Sequence, residues 1–267
     1  MFEDQSLVYM FSNYMKRLTL TDYGGNNSWA KLTGFEQVVS SGNTTYYLID
    51  NGNSRIVSFD KYWIYLSYQT LPYNNTFTTK YVAGNFYFSA KGCFYSTNTN
   101  FTVLNAYAYK IMITFEFTQF FYDASSSQFY VLADTAIYVF SSSCALSHDS
   151  LSQTITNYAL VGLSFYNGTI YGGIKNTNQI IAFNLNSNNS ANITVSQCPT
   201  PVLKSYITFD SFGFMAISCE QNNVIPVYDY NGNYTNSSIS TSYQSGTAID
   251  SSGRLLIMNS NSLDIYY

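Results

Sequence analysis

Six short apolar segments, each running into a polar turn, recur along this chain at nearly constant spacing. They are Tyr47–Asp50, Phe88–Lys91, Val131–Asp134, Gly172–Lys175, Ala216–Cys219 and Leu256–Asn259, and their last residues lie 41, 43, 41, 44 and 40 positions apart. A repeat of roughly 42 residues is the length of one four-stranded propeller blade. Upstream of most of these segments is a second apolar stretch ending in a turn (GFEQVVSSG, FFYDASSS, LSFYNG, ITFDSFG, TAIDSSG), and downstream comes an alternating third strand (RIVSF, AIYVF, QIIAF, VIPVY, LDIYY). Alternation sends one row of side chains into each of the two layers that flank a blade. In the second repeat, FSAKGCFYSTNTNFTVLNAY reads as extra residues inserted before the third strand.

The fold these segments predict is an all-β, six-bladed β-propeller of four-stranded antiparallel blades, with residues 1–267 as one domain. A sandwich with evenly spaced strands is the competing architecture, but it gives no reason for six registers to hold within a few residues. After the third strand of the sixth repeat the sequence has no residues for a fourth. The segment Lys16–Asp22, within an amino-terminal stretch of residues 1–24, is expected to supply that strand and close the ring.

In the first repeat, Asp50-Asn51-Gly52-Asn53-Ser54-Arg55-Ile56-Val57-Ser58-Phe59-Asp60 resembles the hairpin of NHL-repeat propellers, whose pattern is Asp-x-Gly-Asn-x-Arg-Ile followed by an aromatic residue. Its chemistry fits a tight turn: Gly52 and Asn53 are expected to supply positive φ angles, and Arg55 can reach back to Asp50. The other five repeats keep the spacing and the aromatic ending without the Asn and Arg residues.

Only 10% of residues are charged, against about 25% in average soluble domains, while Tyr (27) and Phe (20) are abundant. Aromatic and β-branched residues favour strands, and the strong helix formers are scarce. A net charge of −4 with scattered basic residues offers no footprint for nucleic acid. No apolar run is long enough to insert in a membrane, and no export signal is legible in the first twenty or so residues. An exported form would therefore be a processed chain or part of a longer one.

Four cysteines without a CxxC or Cys/His cluster suggest disulfides and an oxidising compartment. Cys198 closes the outermost strand of blade 4 and Cys219 the second strand of blade 5, so both fall on one face and are expected to pair. Cys93 and Cys144 are the remaining pair, but the register sets them on opposite faces, so either that register shifts or both stay free. Sequons begin at Asn26, Asn43, Asn74, Asn100, Asn167, Asn188, Asn192, Asn233 and Asn236. Asn43 and Asn167 fall in first hairpins. Most others fall near outer strands, which would leave the opposite face, bearing the Asp50–Arg55 and Asp134 turns, open to a partner.

Candidates for catalysis are few. Ser147-His148-Asp149 contains the only histidine, but adjacent residues cannot act as nucleophile, base and orienter for one another. Asp50, Asp134, Asp123, Asp210 and Asp250 sit at strand ends, where turn residues accept backbone hydrogen bonds. Ca²⁺ held by Asp, Asn and carbonyl oxygens is the one cofactor such a set allows, and no other is implied. Tyrosine in this excess suits a recognition surface. The expected function is that of a non-enzymatic extracellular module on a cell surface, appendage or virion, meeting a protein or glycan through one face, with self-assembly or attachment to a larger particle as a further option. A lactonase-like or lyase-like hydrolase with a divalent metal is the alternative. So few titratable groups also imply little loss of stability with pH.

Overall fold

The computed structural model describes residues 14–19, 32–74, 76–90, 93–108, 118–133, 136–144, 146–148, 160–198, 205–219, 223–240, 246–259 and 262–266. Asn26 and Asp134 lie outside them. The described residues form six four-stranded antiparallel sheets, the blades of a β-propeller, with no α-helix. Consequently no helix among them is long and apolar enough to cross a membrane.

The blades divide between two compact units, residues 20–159 and residues 1–19 with 160–267. The first unit holds blade 1, from β2 (Leu32–Ser40), β3 (Asn43–Asp50), β4 (Arg55–Asp60) and β5 (Tyr65–Thr70). Blade 2 follows as β6 (Thr76–Val82), β7 (Asn85–Ala90), β8 (Cys93–Thr97) and β9 (Val103–Ala108), and blade 3 as β10 (Thr118–Asp123), β11 (Gln128–Ala133), β12 (Ala136–Ser141) and β13 (Leu146–His148). The second unit opens with blade 4: β14 (Leu160–Tyr166), β15 (Thr169–Ile174), β16 (Gln179–Asn184) and β17 (Ser190–Thr194). Blade 5 is β18 (Ser205–Phe209), β19 (Met215–Cys219), β20 (Val224–Tyr228) and β21 (Tyr234–Ser240). Blade 6 has β22 (Gly246–Ile249), β23 (Leu255–Met258) and β24 (Ser262–Tyr266), and its outermost strand is β1 (Tyr14–Thr19), from the other end of the chain. The described residues of all six repeated segments lie on second strands or directly after them, as the spacing predicts.

Alternation sorts side chains as the strand period requires. On β8, Cys93 and Tyr95 pack toward blade 1 with Ile49, Phe86 and Phe88, while Phe94 packs toward blade 3 with Phe129 and Phe140. On β19, Met215 and Ile217 join Tyr171 and Ile180 of blade 4, and Ala216 joins Leu255 and Ile257 of blade 6. The inner strands of blades 1 and 2 approach so closely that a Cβ at Gly34 would stand 2.8 Å from the Phe77 carbonyl oxygen. Only glycine fits there.

Two expectations are corrected. Blade 2 has no insertion, because β8 begins at Cys93. Its Ser96 and Thr97, polar residues that read as loop, are buried strand residues. In the Asp50–Arg55 hairpin, neither Gly52 nor Asn53 takes positive φ. Residues Asn51–Asn53 form one turn of 3-10 helix, and Ser54 carries the left-handed conformation at φ 48°.

Cys198 and Cys219 are joined by a disulfide with Cα atoms 5.6 Å apart. Cys93 and Cys144 are free and buried. They pack into different layers, Cys93 with Ile49, Phe86 and Phe88 and Cys144 with Phe94, Phe129 and Phe140. Burial pushes both thiols up to about 11.

Candidate functional site

One turn recurs at the blade end where first and third strands finish. Asp60, Asn98, Asp210, Asp229 and Asp250 each use Oδ1 to accept the backbone N–H groups two and four residues on, at 2.8 to 3.0 Å. In each, two backbone bonds close the same loop, and the residue three positions on is left-handed: Trp63, Phe101, Gly213, Gly232 and Gly253. This is a type I turn followed by a bulge, locked by an Asx side chain. Asp123 makes a variant of it. Burial acts to raise its carboxyl, but bonds from Ser126 and Ser125 prevail and hold it below the usual range. The strand-end acids Asp123, Asp210 and Asp250 are thus turn residues.

Because the tip of each turn is held from inside, its side chains project outward. Phe212 and Tyr230, on two such tips of blade 5, are 68% and 52% exposed. Beside them is a cleft of about 340 Å³ lined by Tyr166, Asn167, Thr169, Tyr171, Asn184 and Tyr230. Tyr166 stacks on Phe209, centroids 5.0 Å apart, and Phe209 also braces Tyr171 at 4.6 Å. Asn184 is fixed at both ends of its amide: Oδ1 accepts from Asn186 N, Ser187 N and Ser187 Oγ, and Nδ2 donates to Thr169 Oγ1. Burial raises the Tyr171 hydroxyl, and the neighbouring hydroxyls of Tyr166 and Tyr230 add to the shift. Three phenols therefore converge on a cleft whose lining contains no Asp, Glu, Lys, Arg, His or Cys.

Of these residues only Asn167, as a sequon, was singled out from sequence. A signal did exist, since Tyr166-Asn167-Gly168 and Tyr230-Asn231-Gly232 are the same tripeptide, each in a hairpin turn. The hairpin that was singled out sits at the opposite blade end and is closed. Arg55 Nε donates to Asp50 Oδ2 at 2.8 Å, as does Asn53 Nδ2, and both charged side chains are buried. A second buried pair of this kind, Asp250–Arg254, escaped the sequence reading although DSSGR spells it out. Among the described residues no three His, Cys, Asp or Glu side chains gather to hold a metal ion.

All the sequon asparagines among the described residues, Asn43, Asn74, Asn100, Asn167, Asn188, Asn192, Asn233 and Asn236, are exposed. Blade 1 also exposes Ile64, Leu66 and Tyr68 along its outermost strand and the residues just before it, an apolar edge of the kind most soluble proteins blunt.

The fold defines a six-bladed β-propeller. No protein-family profile matches the sequence, and no curated protein matches it. Solved structures do resemble it. A luciferin-regenerating enzyme superposes with TM-score 0.67 at 11% identity, over 94% of this chain and 95% of that one. Virginiamycin B lyase from Staphylococcus aureus gives 0.62 at 14% identity, over 94% and 98%. A chain of the Mitotic Checkpoint Complex gives 0.61 at 9% identity, over 94% and 80%. At these identities the likeness is one of fold.

Proposed function

We propose that this chain is a non-enzymatic binding module that works outside the cytoplasm, on a cell surface, an appendage or a virus particle, through the end of blades 4 and 5 that carries the tyrosine cleft. The observation behind this reading is the cleft itself: a concave, preorganised, aromatic and amide-lined site whose lining holds no carboxylate, imidazole, thiol, amine or guanidinium group. The Cys198–Cys219 bridge, the exposed sequons and the low charge fit an extracellular setting. The buried Asp50–Arg55 hairpin supports an NHL-type origin for blade 1.

The enzymatic alternative draws on the propeller lyases. One such neighbour is a catalytically inactive virginiamycin B lyase in which a histidine is replaced by alanine, with quinupristin. The single histidine here, His148, lies on β13, the outermost strand of its blade. The two readings separate in one experiment. Labelled protein is titrated onto cells or particles of the native source, and the same preparation is assayed for ester hydrolysis and for elimination with added Mg²⁺, Mn²⁺ or Ca²⁺. Saturable binding that Tyr230→Ala abolishes supports the module. Binding indifferent to Tyr230→Ala, or turnover that depends on a metal, overturns it.

A further inference from the structure

The cleft in blades 4 and 5 has a chemistry narrow enough to name its ligand. Its lining carries no formal charge, so an ionised group placed there would lose hydration without gaining a counter-ion. What it offers is aromatic faces beside fixed neutral donors and acceptors. A sugar ring matches both, since its C–H face packs on an aromatic ring while its hydroxyls need amide and hydroxyl partners. A volume of about 340 Å³ is at the small end of ligand sites and suits a mono- or disaccharide better than a long segment.

The site is also built in advance. Tyr166 cannot swing, because it stacks on Phe209 and its hydroxyl lies against Gly213, where even a Cβ would come within 3.0 Å. Asn184 cannot rotate without losing the bonds to Asn186, Ser187 and Thr169. Tyr230 projects from a turn locked by Asp229, whose Oδ1 accepts from Asn231 N and Asn233 N. Weak neutral ligands depend on such preorganisation, because little binding energy is left to order the site.

We propose that this cleft is a lectin-type site for the neutral ring of a hexose or N-acetylhexosamine, packed on Tyr230 and hydrogen-bonded by Asn167, Thr169 and Asn184. The proposal rests on the reading that this blade end is the binding face. Two sources could present such a ring. One is a glycan on a partner. The other is an N-glycan on Asn167, which is both a wall of the cleft and the first residue of an Asn-Gly-Thr sequon.

The test uses the whole chain made in a host that does not N-glycosylate, so that Asn167 is bare. Glucose, galactose, mannose and N-acetylglucosamine, with their common disaccharides, are titrated by chemical-shift perturbation and on a glycan array that includes sialylated and sulfated probes. The expected result is saturable binding of a neutral sugar, weakened tenfold or more by Tyr230→Ala and largely kept by Tyr230→Phe, with charged probes no tighter. Tyr230 is at an exposed turn tip, so both variants fold. Binding by no neutral sugar, or equal binding by Tyr230→Ala, overturns the proposal.

Material from the native source then separates the two origins: sugar binding that appears only after enzymatic removal of N-glycans places the protein's own glycan in the cleft, and unchanged binding places the ligand on a partner. If native-cell binding is lost in Tyr230→Ala while no neutral sugar competes, the binding face stands and the ligand class falls.

Discussion

Arg17 and Asp264, 247 residues apart in sequence, are bound to each other by two hydrogen bonds, Nε to Oδ1 at 2.6 Å and Nη2 to Oδ2 at 2.7 Å. They are also cross-strand partners where β1 completes blade 6, and Asn259 Nδ2 donates to the same carboxylate. Asp264 is buried and Arg17 is half in solvent. Replacing Arg17 with Ala is expected to cost about 2 kcal/mol, since it strips the better part of a buried carboxylate's partners. Deleting the chain through Thr19 should cost more, because it also uncovers β24. Thermal melts of both variants check this, and an unchanged melting temperature in the deletion would sink the seam.

Few titratable groups imply a flat pH profile, but one of them is buried, and stability should fall between pH 4.5 and about 7. Burial raises Glu36 from its ordinary 4.5 to about 7 despite the Lys80 ammonium at 3.1 Å, which pulls the other way. The folded chain therefore holds a proton that the unfolded chain releases from pH 4.5 upward. Stability is full below 4.5 and is lost as pH rises through the folded value, by on the order of 3 kcal/mol. Glu36→Gln should flatten that part of the profile. Denaturant midpoints measured from pH 4 to 8 decide the point, and a midpoint that rises with pH in the wild type contradicts it.

Gly84 and Gly232 have nearly the same φ, 88° and 89°, in different surroundings. A Cβ at Gly84 meets open space, whereas one at Gly232 would lie 2.3 Å from Ile193 Cγ2. Gly84→Ala is expected to cost about 1 kcal/mol for the left-handed backbone alone. Gly232→Ala adds overpacking and should cost roughly 2–4 kcal/mol. Equal losses in urea melts would remove the packing argument.

The cysteines should behave as two classes. Reduction of Cys198–Cys219, which spans 21 residues, should lower stability by about 3 kcal/mol through the freer unfolded chain. Cys93 and Cys144, buried and with thiols pushed up to about 11, should resist alkylation at pH 8 until the protein unfolds. Mass spectrometry after iodoacetamide treatment, with and without denaturant, counts them. Rapid labelling of the native protein would show that one of them is accessible.

What the sequence revealed follows from what a local pattern can encode. Second strands repeat because each blade must present the same apolar alternation to its neighbours, so their spacing was readable, and so was the need for β1. Blade 2 was misread at Ser96 and Thr97, where buried neighbours and not apolar character hold polar residues in a strand. The left-handed residue of the first NHL-like turn was assigned to Gly52 and Asn53 by propensity, but the 3-10 turn moves it to Ser54. The cleft was hidden for another reason. Among 27 tyrosines, Tyr166, Tyr171 and Tyr230 differ only in converging from two blades, which no window of sequence displays.

The five Asx-locked turns separate what holds a blade end from what it shows. Each turn is fastened by one Asp or Asn and by backbone groups, which any residue at the two tip positions can supply. Those tips are Lys61 and Tyr62, Thr99 and Asn100, Ser211 and Phe212, Tyr230 and Asn231, Ser251 and Ser252, and all ten are exposed. Mutation can therefore sample them almost without a stability cost, as it samples the hypervariable loops of an antibody on a constant frame. A lineage of such chains would be expected to keep the fastening Asp or Asn while its tip residues diverge as fast as the surfaces it meets.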